Sequence, residues 1–202
     1  MNPAGYREAL IEFIREQAKP PDKFSHQPRL YRLATELAGE TLYDDDVLFA
    51  AAWLHDMGVF IGHRPEDPVA LAQWDNVAYA IKEAPAILEK LGFPQKKIGA
   101  VLEVIRTHLP SANPTTFEGI LLREADILEQ LGAIAILRTV SKIGRDTRFV
   151  RFTDALRLLK RNVEQLPAQL NLDTSRQLAP GRIKALNLFL EAADAEANGE
   201  EL

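Results

Sequence analysis

In AAWLHDMG, residues 51 to 58, a His and an Asp stand side by side at the end of a strongly apolar run. Leaving an imidazole or a carboxylate buried and unpaired costs several kcal/mol, so both must find partners at the edge of the core. Two further polar residues interrupt apolar helical settings in the same way: His26 in FSHQPRL and Asp126 in LLREADILEQLG. The chain has no Cys, which excludes disulfides, thiolate zinc sites and Cys nucleophiles. Any metal must therefore be held by His and carboxylate. If the three helices carrying His26, His55 with Asp56, and Asp126 pack around one point, they offer two imidazoles and two carboxylates. That donor set suits a divalent metal ion of the Mn, Fe, Co, Ni, Zn or Mg kind.

Adjacent helical residues diverge by about 100°, so His55 and Asp56 converge on one ion only if it lies off the end of their helix. Gly58 is placed to stop that helix as a left-handed cap and let the backbone turn away. Four protein ligands leave two octahedral positions for water and a substrate oxygen, as Lewis-acid hydrolysis requires.

The elements that must position these residues read as helices almost throughout. Apolar residues recur at three- and four-residue intervals, and no strand-like alternation is bounded by hairpin turns. Helices are predicted at about 3 to 18, opened by Asn2-Pro3, and at about 25 to 38, closed by Gly39. A third, capped by Asp44, runs through VLFAAAWLHD and carries the doublet in its last turn. A region from about 68 to 91 follows, divided or kinked at Pro85, then a helix over about 95 to 108. Thr115 and Glu118 fit a capping box that opens a helix through FEGILLREADILEQLGAIAILRTV. Helices over about 153 to 166 and 173 to 197 complete the chain, with NGEEL expected to fray.

The composition is that of a globular protein: 202 residues, 47% hydrophobic and 26% charged, with net charge −5. Scattered basic residues and a negative net charge argue against duplex nucleic acid as a partner. No apolar run approaches the roughly 20 residues of a membrane span, and the first residues lack a signal-peptide layout. A cytoplasmic protein without a membrane partner is the expectation, and self-association into a homo-oligomer is compatible with the sequence. Neither internal repeat nor linker is visible. The expected organisation is one helical domain over 1–202, with a core at about 20–145 and C-terminal helices at about 153–197 packing on it.

The order His, then His-Asp, then Asp, in the contexts SHQPRLYRLA, AAWLHDMG and LLREADILEQLGAIAI, resembles the HD-domain superfamily of metal-dependent phosphohydrolases. The resemblance covers roughly residues 20 to 145. It rests on the doublet together with His26 and Arg29 in an HxxR pattern and Asp126 in EADILEQLGAI. It implies an all-α fold, an HD-domain helical bundle, with a metal held by His26, His55, Asp56 and Asp126. Family members hydrolyse phosphomonoesters, phosphodiesters or nucleoside triphosphates, so the resemblance implies a small phosphorylated compound, a nucleotide first among them, as substrate. Similar proteins with two metals carry further His ligands between the doublet and the last Asp. Here Asp75 and Asn76 stand near one such position and His108 matches the other. A single metal is therefore favoured, with Asp56 and His108 as catalytic residues beside the substrate.

A phosphoryl group also needs cations. Arg29 lies one turn after His26 and Arg123 three residues before Asp126, so each should share the helix face of its ligand and serve as a phosphate clamp. Asp126 could instead pair with Arg123. His63 reads as an exposed loop residue, Trp53 and Trp74 as core, RLLKR at 157 to 161 as a solvated helix face, and Asp44-Asp45-Asp46 as a cap in solvent. The alternative function is a non-catalytic helical regulatory module that binds metal or nucleotide.

Overall fold

The three-and-four spacing is realised as helix. A computed structural model describes residues 5–202, and the expected opening of the first helix at Asn2-Pro3 lies outside them. The helices among the described residues are α1 (Tyr6–Gln17), α2 (His26–Ala38), α3 (Asp45–Leu54), α4 (Pro68–Ala72), α5 (Asn76–Lys90), α6 (Ile98–Thr107), α7 (Phe117–Glu129), α8 (Ala133–Val140), α9 (Phe152–Gln165) and α10 (Asp173–Ala197). The described residues hold no strand, only an isolated bridge between Ile61 and Arg64, so the fold is all-α. Among the described residues, no helix is long and apolar enough to cross a membrane.

Two compact units divide the chain, Met1–Arg123 and Glu124–Leu202, with α7 running from one into the other. The first is built around α3, whose residues from Val47 to Leu54 are all buried. A helix apolar on every side must be covered on every side. Helices α1, α2 and α6 pack against it, with α5 on α6, and the run Ala50-Ala51-Ala52 keeps its girth small. Its N-terminus is capped as expected: Asp44 Oδ1 accepts from the amides of Asp46 and Val47 at 3.2 and 3.3 Å. The acidic triplet is more than a cap. Lys97 Nζ lies 2.8 Å from both Asp44 and Asp46, and Arg7 bridges Asp45 and Asp46 at 2.8 Å. These cations hold the Asp46 carboxyl well below the usual range, with the Lys97 hydrogen bond the largest cause.

In the second unit α8, α9 and α10 pack on one another around Leu159, Leu186 and Leu190. Glu124, fully buried, reaches the start of α10, where its carboxylate accepts from the amides of Asn171 at 2.5 Å and Leu172 at 3.0 Å. The C-terminal residues, expected to fray, are tied back: Leu202 O accepts from the Thr153 amide at 3.1 Å, and Arg151 pairs with Glu201.

Several boundaries differ from the sequence expectation for identifiable reasons. The 68–91 region divides at Gln73–Asp75, where the Asp75 side chain accepts from Ala78 N at 2.8 Å, whereas α5 runs through Pro85 unbroken. The long helix after the NPTT loop breaks at Gly132, whose φ of 88° no L side chain adopts readily. Its cap is Thr116, not Thr115: Thr116 Oγ1 accepts from Gly119 N at 3.2 Å, while Glu118 Oε1 accepts from the Asp44 amide at 2.6 Å and so ties α7 to the start of α3.

Candidate metal centre

All four histidines of the chain lie in the first unit. His26 is the first residue of α2, and His55 follows the last residue of α3 as its C-cap. Asp56 comes next, already outside the helix and ahead of a short 3-10 turn at Met57–Val59. The helix thus ends one residue before the doublet rather than carrying it, which frees His55 and Asp56 from the divergence that a regular helix imposes on neighbours.

The consequence is convergence. Asp56 Oδ2 lies 3.6 Å from His55 Nε2 and 3.7 Å from His26 Nε2, and the two imidazole centroids are 5.3 Å apart. One donor atom from each of His26, His55 and Asp56 falls within 4.8 Å of the others. The side chains of His26 and His55 are only 6% and 1% exposed and that of Asp56 is 21% exposed, so the carboxylate is the member facing outward.

The tautomer of His55 is set by its own helix. Its Nδ1 lies 3.0 Å from the Ala52 carbonyl oxygen, which can only accept, so Nδ1 carries the proton. In the neutral ring Nε2 then presents its lone pair to Asp56 and His26. That buried nitrogen has no hydrogen-bond partner. A backbone carbonyl holding one ring nitrogen while the other faces a ligand cluster is the arrangement that orients metal-bound histidines. The donor set, its spacing and the unsatisfied His55 nitrogen fit a divalent cation. Electrostatics agree: Asp56 stands at the negative end of α3, where a carboxylate by itself is unfavourable and a cation is favoured.

His108, at the end of α6, packs its ring against His55 of this cluster. It is the C-cap of that helix, buried at 1% exposure, and its Nδ1 lies 2.6 Å from the Ile105 carbonyl oxygen, repeating the His55 arrangement. The His55 and His108 rings meet at 4.9 Å and 74°. Arg29 lies three residues after His26 in α2 and is half-buried. Arg123 is buried at 5% exposure and spends Nε and Nη2 on the Pro110 carbonyl oxygen, at 3.1 and 2.6 Å, pinning the loop after His108 to α7. Asp126 stands on the part of α7 that belongs to the second unit, 9% exposed, with Oδ2 accepting from Gln130 Nε2 at 3.0 Å.

Gly58 serves the centre differently from the cap expected of it. Its φ is not positive; instead a Cβ there would lie 2.6 Å from the Asn76 carbonyl oxygen and 2.7 Å from Asn76 Cα. Glycine is required because the first turn of α5 packs directly on the turn after the doublet. Trp74, expected in the core, is half-exposed and donates from Nε1 to the Gly58 carbonyl oxygen at 2.8 Å. His63 is not a free loop residue either: its Nδ1 meets Tyr79 Oη and its Nε2 meets Gln17 Oε1, both at 2.9 Å. These supports escaped the sequence reading because each depends on a contact between separate elements.

Comparison with known proteins bears on the family and the fold. None of the curated proteins matches the chain. Among solved structures, Bacillus subtilis YpgQ is 18% identical with a TM-score of 0.73, covering 98% of this chain and 99% of its own. The same protein in complex with ADP has a TM-score of 0.71. An HD-superfamily hydrolase of Bacillus thuringiensis is 23% identical over 96% of this chain and 97% of its own, with a TM-score of 0.66. A predicted HD superfamily hydrolase from an uncultured Thermotogales bacterium is 25% identical over 95% and 93%, with a TM-score of 0.64. The HD domain family profile matches residues 24–131, a span that holds His26, His55, Asp56, His108 and Asp126, and the chain belongs to the HD-domain family.

Proposed function

We propose that the protein is a metal-dependent phosphohydrolase acting on a small phosphorylated compound, with a nucleotide as the substrate class. The observation that carries this reading is the His26–His55–Asp56 cluster, in which His55 Nε2 is buried, directed and without a hydrogen bond. A divalent cation held there supplies Lewis acidity toward a phosphoryl oxygen and makes water a nucleophile near neutral pH. The chain's own contribution is positional. His26 and His55 donate through nitrogens shielded from solvent, and Asp56, the outward-facing member, meets the incoming phosphoryl group and its attacking water. Asp126 is the fourth ligand of this proposal, supported by its EADILEQLGAI sequence context.

His108, held by Ile105 through Nδ1 and in contact with the His55 ring, is the proposed residue for proton transfer. Arg29 is the proposed phosphate clamp, one turn along α2 from His26. For Arg123 the bonds to Pro110 support a loop-holding task more than a clamp. The ADP complex of the YpgQ relative supports a nucleotide as substrate class.

The test is release of phosphate or pyrophosphate from a panel of nucleotides and phosphomonoesters with added Mn²⁺, run beside the Asp56→Ala protein. Metal-dependent release that falls at least about a hundredfold in the variant is expected. Bound metal with no product from any substrate would replace hydrolysis with the regulatory-module reading.

A further inference from the structure

Two tryptophans occur in the chain, and they differ in kind. Trp53 is buried in α3 at 3% exposure. Trp74, between α4 and α5, is only half-buried, although a large aromatic side chain gains most from being covered. Its polar edge is already used, because Nε1 is bonded to the Gly58 carbonyl oxygen, two residues beyond Asp56.

The ring is also held in place. Gly58 touches the backbone of Asn76, so the turn after the doublet, Trp74 and the first turn of α5 are locked together. Tyr79 supports the indole at 5.3 Å and 46°, and Tyr79 is fixed by His63, which is fixed by Gln17. A held, half-buried indole is therefore bonded to the turn two residues beyond Asp56, the outward member of the metal cluster.

We infer that Trp74 is the platform on which the heterocyclic base of a nucleotide stacks while its phosphate lies at the His26–His55–Asp56 cluster. This rests on the phosphohydrolase reading and adds a specificity-determining residue to it. Every base has a π-face, so a single aromatic plane gives affinity with little discrimination among bases. Nucleotides with different bases should then be used with similar KM, and the same phosphate chain without a base should be used poorly.

The test compares ATP with inorganic tripolyphosphate, its base-free counterpart, on the full chain with Mn²⁺. Trp74→Ala should raise KM for ATP roughly tenfold more than KM for tripolyphosphate, since any loss through the Gly58 bond is common to both substrates, with Trp74→Phe, which keeps a ring without that bond, in between. Equal effects on both substrates, or none on either, would overturn the platform. A second measurement does not depend on turnover. Trp53→Phe leaves Trp74 as the sole tryptophan and breaks no hydrogen bond, since Trp53 Nε1 is buried without one. ATP should quench the remaining emission and tripolyphosphate should not. ATP that binds by calorimetry without quenching, or does not bind, sinks the platform. Quenching without hydrolysis of any substrate would retain the platform and remove the hydrolytic reading.

Discussion

The imidazoles of His55 and His108 meet at 4.9 Å, and each is tied through Nδ1 to the carbonyl three residues before it in its own helix. Because α3 and α6 pack side by side, two C-caps with the same local bond bring the two rings together edge to face, at 74°. One of these rings also faces Asp56 and His26, and the other stands at the edge of the cluster. The pair is thus preorganised by main-chain atoms that no side-chain substitution removes.

His108→Phe separates the two tasks of that pair. The ring against His55 is retained while both nitrogens are lost, and with them the Nδ1 bond to Ile105, so metal content measured by mass spectrometry should match that of the parent. Turnover should fall roughly a hundredfold, the lower range for loss of a general acid or base. Loss of metal together with activity would instead make His108 a ligand.

Gly58→Ala places a methyl group 2.6 Å from a backbone oxygen, which no rotamer change relieves. Either the turn after Asp56 or the start of α5 must move. A loss of about 1–3 kcal/mol in denaturant unfolding is expected, the usual range for overpacking a tight contact, accompanied by weaker metal binding. Unchanged stability and metal affinity would show that the two elements do not need this approach.

Glu124→Ala should destabilise the protein by about 1–3 kcal/mol, because the amides of Asn171 and Leu172 lose a buried acceptor. Glu124→Gln keeps one acceptor oxygen and should recover part of that loss in the same thermal or urea unfolding curves.

His63 supplies a pH prediction. Burial is the largest influence on its imidazole and lowers the pKa below the ordinary value near 6.5, with Glu83 opposing and Lys19 assisting. The unfolded chain therefore takes up this proton at higher pH than the folded one, so the contribution is complete above about 6.5 and is lost as pH falls toward the depressed folded value. Relative to His63→Gln, the parent protein should lose unfolding midpoint on going from pH 7.5 to 5.5. A difference between the two that stays constant with pH would show that His63 titrates alike in both states.

The His26–His55–Asp56 cluster and the helical fold around it were legible in the sequence. The doublet at the end of an apolar run, the absence of Cys and the ordered set of His26, His55, Asp56 and Asp126 indicated N/O metal chemistry, and apolar periodicity indicated an all-α chain. The Asp44 cap and α10 at Asp173–Ala197 were legible because a helix end or face is encoded by neighbouring residues. Pro85 misled because one residue's local preference is overridden when the surrounding helix is packed.

What only the tertiary structure decided has a common physical basis. His26 reaches His55 across 29 positions of sequence, Glu118 caps the start of α3 rather than its own helix, Gly58 is required by the backbone of Asn76, and Trp74 is anchored by Gly58. Spacing along the chain specifies which side chains share a face, since helical geometry repeats over a few residues. It does not specify which faces meet or how closely, because that follows from packing among side chains distant in sequence. The sequence by itself therefore determined the chemistry available to this protein, and the packing of α2, α3, α5 and α6 decided which residues perform it together.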